Sequence, residues 1–254
     1  MVMVMCGRYC LTVDSSALLS LFGLGAGFIW TSRYNVAPTQ MMPVVRASQM
    51  PLEDGVGPHL DCLRWGLIPS WSKDVKAGAR MINARSETVC EKPAFRSAVR
   101  HRRCLVPADG FFEWKKLSSG IKKPYCIRMH GGSLFAFAGI WERWQGDLGQ
   151  VGGLFEEAGA DLSGDVVESS SILTTRPNRL MGAIHDRMPV ILNDSDFSQW
   201  LDPEITEVSD VEALIDRVAQ PFDELAMEAY PVSPQMNHVG FEGPGVLEPL
   251  QDTE

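Results

Sequence analysis

Between Tyr34 and Leu192 the sequence breaks into eight short apolar or alternating runs: Tyr34–Ala37, Pro43–Arg46, Cys104–Pro107, Phe111–Trp114, Tyr125–Met129, Leu134–Ile140, Ser171–Thr175 and Met188–Leu192. Runs of this length between turn residues read as strands. Helical signals are few. Asp14 caps a helix over Ser15–Phe22 that Gly23 closes, a second helix starts at Pro93 in KPAFRSAVR, and a third starts from Pro177 in PNRLMGAI. DSDFSQWL and DVEALIDRVA read as surface helices capped by Asp194 and Asp210. Gln145–Glu168, rich in glycine and acids, reads as an inserted mobile loop. Strands and helices do not alternate regularly and no internal repeat occurs, which disfavours a doubly wound or barrel α/β fold. The expectation is one β-rich α+β domain.

The chain has 254 residues, 45% of them apolar and 22% charged, ordinary for a globular protein with a sizeable core. No apolar stretch is long enough to span a membrane, and MVMVM lacks the charged flank of a signal peptide. The 6 cysteines include no C-x-x-C pair, so neither a zinc site nor a redox dithiol is expected; free thiols in a reducing, intracellular compartment are. No cofactor or metal is expected. The net charge of −9 conceals an asymmetry. Arg80–Arg128 holds twelve Lys and Arg against four Asp and Glu, whereas residues 193–254 hold fifteen acids and one base. A basic half of this kind fits a polyanion partner, and equally fits solvated faces of both signs.

Four stretches concentrate polar residues in apolar surroundings: CGRY at 6–9, MINARSET at 81–88, VPADGFFEW at 106–114, and ILTTRPNRLMGAIHDRMPVIL at 172–192. Each has a plain structural reading. Glu113 fits an outward-facing edge-strand residue, His185 a capping histidine, Asn83 a turn residue, and Arg85 and Arg187 surface ion pairs. The tryptophans read as core by default.

Taken together, these motifs give the chain its resemblance to a known family. MCGRY, RYNVAPTQ (33–40), RWGLIPSW (64–71), NARSET (83–88), PAFR (93–96), RRCLVPADGFFEW (102–114), AGIWE (138–142), ILTT and IHDRMPVIL (184–192) resemble the SRAP family, whose members crosslink covalently to abasic sites in single-stranded DNA. The resemblance implies a partly open, barrel-like sheet with peripheral helices over residues 6–241, a removed or mis-assigned extension at 1–5, and an acidic tail at 242–254. It implies a monomer whose partner is abasic single-stranded DNA, located at the nucleoid in a bacterium or in the nucleus in a eukaryote. It also implies abasic-site processing with self-processing peptidase and lyase-type activity.

The chemistry implied is specific. A ring-opened abasic sugar exposes an aldehyde. An N-terminal Cys6 would offer an α-amine of pKa about 8 and a thiol of about 8.5, so a Schiff base could close to a thiazolidine. In the family pattern the cysteine follows the initiator methionine, so Met5 would be the true start or residues 1–5 would be cut off. By resemblance, Glu113 is the carboxylate beside the cysteine, its pKa raised between Phe112 and Trp114. His185 assists ring opening or reversal, Asn83 holds the sugar or cysteine backbone, and Thr174 lines the pocket. Arg8, Arg85 and Arg187 would bind phosphates, and Pro38, Trp65 and Trp71 would guide or stack on the strand. An N-terminal-cysteine amidohydrolase or peptidase and a non-catalytic single-strand-binding module stay open as alternatives.

Overall fold

The computed structural model describes residues 7–25, 27–47, 57–146 and 166–250. In chain order the elements are β1 (Arg8–Leu11), α1 (Ser15–Phe22), β2 (Arg33–Val36), β3 (Met41–Arg46), β4 (His59–Trp65), β5 (Asn83–Arg85), α2 (Arg96–His101), β6 (Arg103–Ala108), β7 (Gly110–Lys116), β8 (Lys122–Met129), β9 (Phe135–Gln145), β10 (Val166–Thr175), α3 (Arg179–Gly182), β11 (Met188–Pro189), β12 (Ile191–Leu192), α4 (Phe197–Leu201), α5 (Val208–Val218) and β13 (Met227–Pro231). The β-rich single domain read from the sequence is what forms. Most of the loop expected at 145–168 lies outside the described residues, but Gln145 and Val166–Glu168 are strand and pair with each other's strands.

Two sheets carry the fold. One has five strands in the order β13-β8-β7-β1-β2; the other has eight, running β11-β10-β4-β3-β6-β9-β12 with β5 on β10. A further pairing of β9 with β10, from Val166↔Gln145 to Ile172↔Gly139, closes β10-β4-β3-β6-β9 into a ring. The barrel expected to be partly open is therefore closed, which leaves those strands no free edge.

Strand alternation sorts the core. On β9, Phe135, Phe137 and Trp141 point to the central cluster, while Ala136, Ala138 and Ile140 point to a second cluster under the helices. Tyr9, Phe111 and Ile127 of the five-stranded sheet enter the central cluster, and their neighbours Cys10, Phe112 and Cys126 face Val232, Met236 and Val246 from the C-terminal segment. Because both faces are covered, these strands read as continuous apolar runs. Trp65 belongs to the central cluster, fully buried with its Nε1 donating to the Ile82 carbonyl at 3.0 Å. That corrects its expected role: a ring enclosed by core residues cannot stack on a base.

The helices differ from the sequence reading mainly at their starts. Helix α1 forms with its Asp14 and Gly23 caps as read. Helix α2 begins three residues after Pro93, with residues 93–95 in a turn. Asn178 caps α3 by accepting from Met181 N at 2.8 Å. Asp210 lies inside the first turn of α5, whose capping position is Glu207. The acidic residues 242–250 pack back on the body: Glu242 accepts from Arg33 Nε at 2.9 Å and from Tyr34 N at 2.8 Å, and Leu250 N donates to the Pro231 carbonyl at 2.8 Å.

One buried cation joins the helices to the barrel. The Arg103 guanidinium donates to the carbonyls of Val99 and Arg100 at 2.9 and 3.0 Å, Trp200 at 2.6 Å, Asp202 at 2.5 Å and Ile205 at 3.0 Å. It thus satisfies the last-turn carbonyls of α2 and α4, which have no partner within their own helices. Arg103→Met should lower stability by about 3–5 kcal/mol by leaving buried carbonyls unpaired. Arg103→Lys should recover little of it, since one ammonium cannot reach the same set. Denaturant midpoints of both variants check this.

Candidate active site

The site begins with β7. Alternation puts Glu113 on the side of Phe111 and Trp114 on the side of Phe112, with Tyr125 of β8 opposite Glu113. Glu113 is only 1% exposed, so the edge-strand reading, in which it faces solvent, does not hold. A cavity of about 430 Å³ opens at this end of the hairpin, lined by Glu113, Trp114, Lys116, Lys122, His185 and Asp186 among others. Trp114 is fixed there by its Nε1, which donates to Asn237 Oδ1 at 2.8 Å.

His185 reaches the cavity from the loop that follows the short helix α3. Its backbone N–H donates to the Met181 carbonyl at 2.8 Å, and its Nδ1 accepts from Arg187 N at 3.2 Å. Asp186 Oδ1 lies 2.9 Å from the same Nδ1, but that carboxylate is 80% exposed whereas the imidazole is 6% exposed. Burial therefore outweighs Asp186 and holds the His185 pKa below its ordinary value, helped by the positive charge of Lys122.

Beside it, Arg187 gathers three segments. Its guanidinium forks onto both Glu87 carboxylate oxygens at 2.5 and 2.8 Å and donates to the Thr174 carbonyl at 2.6 Å and hydroxyl at 3.2 Å. The Arg187 bonds hold the Glu87 carboxyl below its ordinary value. β5 lies parallel to β10 with Asn83↔Ile172 and Arg85↔Thr174, so Asn83, Arg85 and Thr174 share one face. Thr174 is fully buried and Arg85 exposed. Arg187 is thus engaged by Glu87 and Thr174, and a phosphate there would have to displace a bidentate carboxylate. Glu87 had been passed over as a partner because its ion pair spans 100 residues.

The remaining expected residues scatter. Arg8 donates to Asn35 Oδ1 at 2.9 Å and to the Met236 and Asn237 carbonyls at 2.9 and 3.1 Å, a clasp on the C-terminal segment. Pro38 is half-buried in the turn between β2 and β3, and Trp71 is 63% exposed on the loop after β4. Neither lines the cavity. Lys116 and Lys122, which do line it, went unread, although KK…KK flanking a turn was a visible signal.

Cys6 lies outside the described residues. The other five cysteines are free, and burial raises the thiol pKa of each, Cys62 to about 11 and Cys126 to about 12, so none is poised as a thiolate. Among the described residues there is no group of three or more potential metal ligands, and no helix is long and apolar enough to cross a membrane.

Comparison with known proteins gives a consistent result. The family described as SOS response associated peptidase (SRAP) matches residues 5–239. The chain is 39% identical over 248 residues to the abasic site processing protein YoqW of Bacillus subtilis strain 168, covering 96% of this chain and 99% of that one. It is 32% identical over 237 residues to the abasic site processing protein HMCES of Rattus norvegicus, covering 85% and 64%. A solved protein from Bacteroides thetaiotaomicron superposes with a TM-score of 0.76 at 25% identity, covering 97% of this chain and all 100% of the other. The chain belongs to the SRAP family.

Proposed function

We propose that this protein recognises abasic sites in single-stranded DNA and links to them covalently through Cys6 as the first residue of the mature chain. The observation that carries the reading is that a buried carboxylate, Glu113, and a histidine whose pKa is lowered by burial, His185, line one cavity with room for a sugar and its neighbouring groups. The strand next to Glu113 supports it: Arg8 stands opposite Phe112, so β1 starts beside β7 only two residues after Cys6. The names of the relatives support the substrate.

In this reading the Cys6 α-amine adds to the C1 aldehyde of the ring-opened sugar, and the carbinolamine loses water to give an imine. The Cys6 thiolate then adds to the imine carbon, the nitrogen takes up a proton, and a thiazolidine results. Glu113 exchanges protons with the amine and the departing water. His185 relays a proton to the sugar ring oxygen as the C1–O bond breaks, the C1 hydroxyl giving up its own proton to leave the aldehyde. Asn83 holds the sugar or the cysteine backbone, Thr174 steadies the Arg187 guanidinium, and Arg85 meets a neighbouring phosphate. Lyase-type scission and removal of residues 1–5 by the chain itself belong to the same proposal, since both need a carboxylate and a nucleophile at this position.

The decisive experiment compares a chain beginning at Cys6 with one that keeps Met1–Met5, each verified by intact mass. The first should give a heat-stable adduct with abasic single-stranded DNA and the second should not; an adduct at equal rate from the extended chain sinks the proposal. Glu113→Gln should slow adduct formation by about 10²–10⁴-fold, the range of positioned proton transfer, with unchanged affinity for intact single-stranded DNA.

A pH profile tests His185. Its folded pKa lies below the ordinary 6.5, so the neutral form is present at pH 7 and is lost only as pH falls through that lower value. The His185-dependent limb of the rate should therefore lie below pH 6.5 and vanish in His185→Ala. A limb centred above 6.5 would contradict the assignment.

A further inference from the structure

We propose that the β7–β8 hairpin is the phosphate-gripping arm of this site, with Lys116 and Lys122 together binding the DNA backbone next to the sugar in the cavity. The inference rests on the reading above and adds residues to it. Two successive cross-strand pairs on this hairpin are like-charged, Lys115↔Lys123 and Lys116↔Lys122. Like charges directly opposite each other destabilise a strand pair; Lys115 faces the Tyr125 ring at 6.0 Å, but local stability does not account for the exposed Lys116↔Lys122 pair. An anion held between the two ammonium groups does.

The placement favours that anion being the substrate's own. Lys116 and Lys122 are exposed, and both line the cavity that Glu113 and His185 share. The ion pairs on the His185 side are His185–Asp186 and Arg187–Glu87, and neither lysine takes part in them. Lys122 lies near enough to His185 to lower its pKa, which ties the hairpin to the far wall of the cavity. The turn is closed by the Leu117 N–H donating to the Ile121 carbonyl at 2.9 Å, with Gly120 at φ 84° supplying the left-handed residue, so the arm is pre-formed. Of the three arginines assigned this duty from sequence, Arg8 is held by carbonyls and Arg187 by Glu87, which leaves Arg85 exposed to share the lysines' task. A polyanionic strand entering the cavity meets these two lysines at its mouth, and a single strand is the form in which sugar and phosphates are both accessible.

The test uses fluorescence anisotropy with a single-stranded oligonucleotide that lacks an abasic site, titrated across salt concentrations. Each phosphate contact on a single strand contributes ~0.7 to the slope of log affinity against log salt, so K116Q/K122Q should flatten the slope by about 1.4 relative to the unaltered chain. K116R/K122R should restore it, and K92Q, an exposed lysine outside the cavity, should leave it unchanged. A K116Q/K122Q protein with native unfolding temperature and unaltered slope overturns the proposal, as does an equal flattening by K92Q. If the double variant unfolds, K122Q alone carries the test with an expected flattening of about 0.7. Failure of the unaltered chain to form an adduct with abasic DNA would sink the crosslinking reading while the slopes still decide the role of the lysines.

Discussion

The edge-to-face contact of Tyr9 with Trp65 and Phe137 is the constraint on which the rest of the molecule hangs. Tyr9 meets Trp65 at a centroid distance of 5.5 Å and 70°, and Phe137 at 6.3 Å and 89°. One strand over, Phe111 meets Phe137 at 5.8 Å and 78°. These rings are the joint between the five-stranded sheet and the closed barrel. Each such pair is worth about 0.5–1.5 kcal/mol beyond the area it buries. Their greater effect is geometric, because they set how β1 and β7 lie on the barrel, and so where Glu113, two residues beyond Phe111, arrives. A site carried on strands held at both faces keeps its shape better than one carried on loops.

Around that joint, backbone carbonyls do much of the work usually given to carboxylates. Arg103 spends its donors on five of them. Arg8 and the Asn35 side-chain amide spend theirs on carbonyls between Met236 and Phe241. The result is that basic residues which look like a DNA-binding surface in the linear sequence are partly internal scaffolding. The cations that remain outside are fewer and more localised than the overall charge asymmetry implies.

How much of this could be read beforehand follows a physical rule. Local signals were legible: the caps of α1 and the turn-bounded runs that became β2, β3 and β6–β10. β4 escaped because HLDCLRW mixes charge into its alternation, and β13 because MEAYP carries an acid and a terminal proline. His185 was identifiable by resemblance, but its neutral state was not, since that depends on burial and on Lys122 from another strand. Trp65 was misread for a related reason. Whether a tryptophan faces solvent or core depends on the parity of a strand and on what covers it, and neither is written in the residues beside it. The internal bonds of Arg8 and Arg187 were not legible, because partners such as Met236 and Glu87 lie 228 and 100 residues away.

The clasp between Arg8 and the carbonyls of Met236 and Asn237 has a consequence in time as well as space. Its two sides lie 228 residues apart, so the clasp cannot exist until Asn237 has left the ribosome. Until then β1 and Asn35 lack the carbonyls that satisfy them, and Phe112 and Cys126 lack the Val232–Met236–Val246 cover. Strand β1 is made before the barrel strands yet is clasped only after them. Synthesis therefore acts as a clock: a chain truncated before Met236 could build the barrel and still present its N-terminal strand unclasped.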